Sequence, residues 1–64
     1  DARLSMHDFR VMRGPIMKKL MFDVVVPYDF EISDDVLKKK INSYIKIYDE
    51  NCYAVINIDR AMVR

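Results

Sequence analysis

The chain has 64 residues, enough for one small domain at most, with 52% hydrophobic and 33% charged residues. Its formal net charge of +1, from 11 Lys and Arg against 10 Asp and Glu, excludes the basic excess that is typical of nucleic-acid-binding proteins. The single cysteine, Cys52, excludes an internal disulfide, so we expect a partner chain or a metal to supplement the stability of so small a domain.

The first predicted element is a strand over residues 4–13. Its alternation of apolar and polar side chains is imperfect, because Leu4 and Met6 fall on the opposite parity to the residues that follow. We therefore expect a bulge in this strand or a late start. The dipeptide Gly14-Pro15 predicts a tight turn after it.

The second predicted strand, over residues 18–26, has the clearest pattern in the chain. Its run of three valines at residues 24–26 favours a strand over a helix, because β-branched side chains suit the pleat. Pro27 ends this strand, since proline has no backbone N–H for the ladder.

A helix is predicted over Asp34–Tyr48. Ser33 is a suitable N-cap, and Asp34 and Asp35 place negative charge in the first turn. Apolar residues at helical spacing form the stripe that we expect to be buried: Leu37, Ile41, Tyr44, Ile45 and Tyr48.

A third strand is predicted over residues 52–59, which gives the element order β-β-α-β. The short turn makes the first two strands antiparallel, and the helix allows a parallel, right-handed crossover from the second strand to the third. The second strand is then central. The predicted fold is α+β, a three-stranded mixed sheet with one helix on one face.

One helix covers only one face of this sheet, so the other face has to be explained. The face expected under the helix carries Leu20, Phe22, Val24, Ala54, Ile56 and Ile58. The opposite face carries Met21, Val25, Tyr53 and Val55, which together form too large an apolar surface to remain exposed to solvent on a small monomer. Two explanations stand: a twofold self-association surface, or a helix or tail missing from a piece of a longer protein.

The same uncovered face carries candidate metal ligands. Asp23 lies on the second strand, while Asn57 and Asp59 project from one side of the third, so the three approach one another if these strands are neighbours. Carboxylates among apolar residues are costly unless they are paired or metal-bound. Alternatively, Asp59 forms an ion pair at the end of its strand.

His7 is the only histidine, and an imidazole with two carboxylates is a plausible ligand set for Zn, Mn or Fe(II). Strict alternation places His7 on the other face, so it joins Asp23 and Asp59 only if the first strand is irregular. The alternative is a structural or solvated histidine. No phosphate-binding loop, nucleophile elbow or C-x-x-C motif is present, so we expect no enzymatic activity.

Four stretches together resemble the C-terminal domain of the cation diffusion facilitators, a family of divalent-metal exporters. They are MHDFRV at residues 6–11, GP at 14–15, FDVVVP at 22–27 and AVINID at 54–59. The similarity covers nearly the whole chain.

The resemblance implies a ferredoxin-like fold, similar to metallochaperones, with the family's first helix absent. Residues 1–64 then form a single cytoplasmic domain with its core at residues 4–59. The implied partners are a second copy in a homodimer, a divalent cation (Zn, Mn, Fe or Co) and the transmembrane domain of the same full-length chain, but no nucleic acid. We expect this piece to be soluble by itself and to lie on the cytoplasmic side of the membrane in the whole transporter.

Ligands carry over from the family one position at a time. His7 matches the histidine of the His-Asp motif, and Asp59 matches an aspartate of the last strand. Asp23 and Asn57 lie where many members have histidines. This departure weakens the case for a tight binuclear zinc site and leaves two alternatives, a weaker site for a harder cation and no site at all.

The expected function is regulatory: the domain mediates homodimerisation and binds metal, and so modulates metal/proton antiport by the transmembrane domain. The alternative is a free-standing ferredoxin-like module that binds metal or senses a small ligand. Independent metallochaperones usually carry paired cysteines, which this chain lacks. The two hypotheses make different predictions about the gene. Only the exporter hypothesis predicts that the gene continues upstream into about six apolar membrane-spanning segments.

Overall fold

A computed structural model describes residues 4–61 as a three-stranded sheet with one helix. The strands are β1 (Ser5–Arg13), β2 (Lys18–Pro27) and β3 (Cys52–Ala61), and the helix is α1 (Asp34–Tyr48). β1 begins one residue later than the sequence predicts, while β2 and β3 end one and two residues later.

The sheet has the order β1-β2-β3, with β2 in the centre. β1 pairs antiparallel with β2, and β3 pairs parallel with β2 through the crossover that α1 provides. The predicted α+β class and the β-β-α-β order are confirmed, and the arrangement is ferredoxin-like.

α1 has the predicted bounds because its two ends carry the appropriate signals. The Ser33 side-chain oxygen accepts a hydrogen bond from the Val36 N–H at 3.3 Å, and Asp34 and Asp35 lie in the first turn, where negative charge is favourable. The last turn carries Lys46, which suits the negative end of the helix dipole. Within residues 4–61 no helix has the length and hydrophobicity needed to cross a membrane.

The core lies between α1 and the face of the sheet that was expected to meet it. Its buried side chains come from β2, β3 and the middle of the helix: Phe22, Val24, Val26, Leu37, Ala54 and Ile56. Cys52 is also buried, as expected for a small core residue. Burial of each large apolar side chain contributes about 1.5–3 kcal/mol, so these few residues hold the fold together.

The position of α1 over the sheet corrects the predicted helix stripe. Leu37 is buried, but Tyr44 is 68% and Tyr48 88% exposed, so the two tyrosines do not belong to the core. The backbone of α1 lies closest to β3, and it does not come close to the backbone of β1. The helix-facing side of β1 is therefore largely uncovered, and Phe9 there is 53% exposed although its ring stacks on Phe22 at 5.3 Å.

The outer edge of β3 is occupied by a side chain of the helix. Asn42 accepts a hydrogen bond from the Ala54 N–H at 2.7 Å through Oδ1 and donates one to the Ala54 carbonyl at 3.2 Å through Nδ2. The same Nδ2 also donates to the Lys38 carbonyl. Asn42 thereby satisfies both backbone groups of Ala54 as a neighbouring strand would.

The loop between β2 and α1 is attached to the end of β3 by one guanidinium. Arg60 donates from Nε to the Asp34 carboxylate at 3.0 Å, from Nη1 to the Phe30 carbonyl at 2.7 Å, and from Nη2 to the Ile32 carbonyl. The side chain of Arg60 is 28% exposed, so these bonds are partly shielded from water. Three bonds from one planar group fix the loop and the start of α1 together.

An ion pair closes the opposite end of the sheet and makes stability depend on pH. Lys18 Nζ lies 2.7 Å from the Asp49 carboxylate, and this hydrogen bond, together with one from the Asn51 N–H, lowers the pKa of Asp49 below its usual 3.8. A lowered folded-state pKa gives a stabilisation that is complete above the unfolded-state pKa and is lost as the pH falls through the folded-state pKa. Since both groups are substantially exposed, the contribution is small.

We expect Asp49→Asn to lower the free energy of unfolding at pH 7 and to leave it unchanged at a pH below both pKa values of Asp49. Urea unfolding of both proteins across the acid range measures this difference. Glu50→Gln, a neutralisation of the neighbouring exposed residue, is the matched control. A difference between wild type and Asp49→Asn that stays constant down to the lowest pH would contradict the assignment.

Candidate metal and self-association face

The face of the sheet opposite α1 is uncovered, and we call it the open face. Four cross-strand rows follow one another along it: Ser5, Val25 and Asp59; His7, Asp23 and Asn57; Arg10, Met21 and Val55; and Met12, Lys19 and Tyr53. Val55 is 50% and Tyr53 37% exposed, while Met21 and Val25 on the central strand are half-buried. The expectation of an uncovered apolar face is therefore met within residues 4–61.

A bulge in β1 decides which side chains reach this face. The pairing of β1 with β2 shifts between His7 and Arg10, and Asp8 within the shift has a positive φ of 55°. The additional residue reverses the alternation, as bulges do. His7 therefore lies opposite Asp23 on the open face, while Phe9 points to the helix side. The irregularity that His7 needed in order to join the carboxylates is present.

Three of the four predicted ligands lie in one row across all three strands. His7 is the cross-strand partner of Asp23, and Asp23 is the partner of Asn57. Side chains in such positions have Cβ atoms about 4.5–5.5 Å apart across an antiparallel pair. Asp59 lies in the adjacent row as the partner of Val25, on the same side of β3.

The row by itself is an incomplete ligand set. Within residues 4–61 no three His, Cys, Asp or Glu side chains come close enough to hold a metal ion. His7 is exposed, and its Nε2 lies 3.1 Å from the Ser5 hydroxyl. One imidazole, one carboxylate and one amide oxygen fit the chemistry of Zn, Mn or Fe(II), but a closed site needs further donors. Whether the four residues bind metal remains a prediction.

The structure adds Asp8, a residue that the sequence reasoning did not select. Its side chain borders the same shallow depressions on the open face as Arg10 and Asp23. Asp tolerates the left-handed backbone that a bulge requires better than most residues do, and this was the signal available in the sequence. Asp8 therefore adds a second carboxylate near the predicted row.

The open face thus combines accessible apolar groups with a short line of ligand-type side chains. In comparisons with known proteins, no family model, no curated protein and no solved structure matches this chain. The likeness to the cation diffusion facilitators rests on the four sequence stretches alone, and the open face provides the physical support for a function.

Proposed function

We propose that this chain is the regulatory cytoplasmic domain of a divalent-metal exporter resembling the cation diffusion facilitators. It dimerises through the open face and holds a divalent cation there. The row of His7, Asp23 and Asn57 on an uncovered apolar face is the observation that supports this proposal most. The family-like stretches agree with it, since all three residues of the row lie within them.

The chemistry of the row explains why a second copy and a cation go together. Asp23 is half-buried between the side chains of Met21 and Val25, where an unpaired carboxylate is unfavourable. A divalent cation compensates this charge, but one protomer supplies too few donors to close its coordination shell. A second copy facing the first doubles the number of imidazole, carboxylate and amide groups.

Regulation then follows from linkage. A cation that binds the assembled pair and not the separate chains stabilises the pair by about 2.7 kcal/mol when its concentration is 100 times its dissociation constant. In the full-length exporter that we propose, the pairing of the two cytoplasmic domains fixes the spacing of the attached membrane domains. Residues His7, Asp23, Asn57 and Asp59 hold the cation, and metal transport itself takes place elsewhere in the protein.

Metal titration of the 64-residue chain tests this proposal. We expect Zn²⁺ or Mn²⁺ to bind in isothermal titration calorimetry and to shift the chain toward a dimer in sedimentation equilibrium. His7→Ala and Asp59→Ala each remove a donor and are expected to weaken binding by about tenfold or more. Glu50→Gln, an exposed carboxylate outside the open face, is the matched control and leaves the affinity unchanged.

Equal affinity in wild type and both alanine variants would eliminate the site. The competing assignment is a free-standing metal-binding module. It predicts the same metal-binding result, but it does not predict membrane-spanning segments upstream in the gene. We expect the coding sequence upstream of Asp1 to continue into about six apolar segments of membrane-spanning length. A start codon directly before this domain would favour the free-standing module.

A further inference from the structure

The charged side chains of the open face are segregated along the strands. Asp23 and Asp59 lie in the two rows at one end, and Arg10 and Lys19 lie in the two rows at the other end. None of the four forms an ion pair within residues 4–61, although Arg10 and Asp23 border one depression. Asp8 borders the same depressions as Arg10 and Asp23, so the face has an acidic half of three carboxylates and a basic half of two charges.

Apolar groups lie between and among these charges. Met21 and Val55 lie in the row of Arg10, and Val25 lies in the row of Asp59, so both halves of the face carry apolar side chains. A surface with apolar side chains in both halves and opposite charges in the two halves is complementary to itself when one copy is turned end to end. This property identifies a second copy of the chain as the occupant.

Two such sheets can pack face to face about a twofold axis in two ways. An axis along the strands brings like ends together, so the two acidic halves meet and the two basic halves meet. An axis across the strands reverses one sheet, so each acidic half meets the partner's basic half. Like charges in contact across an interface are costly, whereas opposite charges promote association.

We propose that, without a bound cation, two chains pair open face to open face with their strands running in opposite directions. Asp23 and Asp59 of each chain then lie within reach of the partner's Arg10 and the partner's Lys19. The inference depends on the proposed function in one respect, namely that the open face meets a second copy.

The same arrangement gives the cation a definite effect. A divalent cation at the row of His7, Asp23 and Asn57 neutralises the acidic half, and the attraction that favours the reversed pairing is lost. The like-ended pairing then becomes the better one, because it brings the two rows face to face around the cation. Binding of metal therefore changes the orientation of the pair as well as its stability.

Neutralising the two basic residues distinguishes the two pairings, because each pairing predicts the opposite change in the dimer dissociation constant. In the reversed pair Arg10 and Lys19 attract the partner, so Arg10→Gln with Lys19→Gln is expected to raise the dimer dissociation constant about tenfold. In a like-ended pair the same change removes repulsion and lowers the constant. Sedimentation equilibrium with EDTA present measures it.

The dependence of dimerisation on salt concentration is a second test of the same attraction. Between about 0.01 M and about 1 M salt the Debye length falls from about 30 Å to about 3 Å, so a pair held by opposite charges weakens. We expect the wild-type dimer to weaken and the difference from the double variant to disappear at high salt. Lys39→Gln with Lys40→Gln changes the net charge equally on an exposed side of α1 and serves as control, with circular dichroism confirming that every variant is folded.

Three results would overturn the inference: a tighter dimer in the neutralised variant, an equal dissociation constant, or a monomer at every protein and salt concentration. The two proposals fail separately. Metal binding with no response to Arg10→Gln and Lys19→Gln would leave the proposed function standing without the reversed pair. A charge-dependent dimer that ignores Zn²⁺ and Mn²⁺ would retain the reversed pair and remove metal sensing.

Discussion

Replacing Leu37 by alanine is expected to lower the free energy of unfolding by about 3 kcal/mol, because it removes a buried side chain and leaves a cavity. Leu37 is only 6% exposed and is the one buried residue of α1. A domain of this length has a total stability of roughly 3–10 kcal/mol, so the loss is a large fraction of it. Urea unfolding followed by circular dichroism measures the change.

Ile47→Ala is the matched control for Leu37→Ala. It removes an aliphatic side chain of the same size from the same helix, but Ile47 is 74% exposed. We expect it to change the stability by less than about 0.5 kcal/mol. Similar losses at the two positions would mean that α1 does not pack on the sheet through Leu37.

Replacing Arg60 by alanine is expected to destabilise the fold by about 2–3 kcal/mol, because it removes three hydrogen bonds, one to a carboxylate and two to carbonyls. The affected groups are Asp34 at the start of α1 and the carbonyls of Phe30 and Ile32 in the preceding loop. Chemical unfolding gives the overall loss, and faster amide exchange in the first turn of α1 locates it.

Two variants test whether Arg60 acts through all three bonds. Arg60→Lys keeps the charge but loses the planar fork, so we expect an intermediate loss. Asp34→Ala removes only one acceptor, and its effect is expected to be clearly smaller than that of Arg60→Ala. If Asp34→Ala and Arg60→Ala cost the same, the two carbonyl contacts contribute nothing.

The order and pairing of the elements followed from local patterns. The helix was predictable to the residue because Ser33 and the acidic first turn mark its start, and the polar residues after Tyr48 mark its end. The central position of β2 followed from its continuous apolar character and from the two types of connection. In these regions the local signals and the tertiary structure agree.

The geometry of β1 was predictable only in part. The broken parity at the start of β1 indicated a bulge. The position of the bulge depends on Asp8 adopting a positive φ, and there is no glycine at that position to indicate such a backbone conformation. That single residue decides which face His7 occupies. The sequence could therefore name the four candidate ligands, while the row of His7, Asp23 and Asn57 depends on a backbone detail that alternation alone does not determine.

The spacing of apolar residues also failed to predict that the two tyrosines of α1 are exposed. Helical spacing assigns Tyr44 and Tyr48 to the same stripe as Leu37, but burial depends on where the helix lies over the sheet. The bonds between Asn42 and Ala54 hold α1 toward the outer edge of β3. An amphipathic pattern gives the orientation of a helix about its own axis and not its lateral position.

The amide of Asn42 has a consequence for the behaviour of the chain at high concentration. Sheets grow into fibrils when free N–H and C=O groups of an edge strand recruit another molecule. At Ala54 both groups are already bonded, and on the far side of the sheet the bulge at Asp8 interrupts the regular ladder that an incoming strand would need. Each edge of the sheet therefore carries one feature that hinders the addition of a further strand.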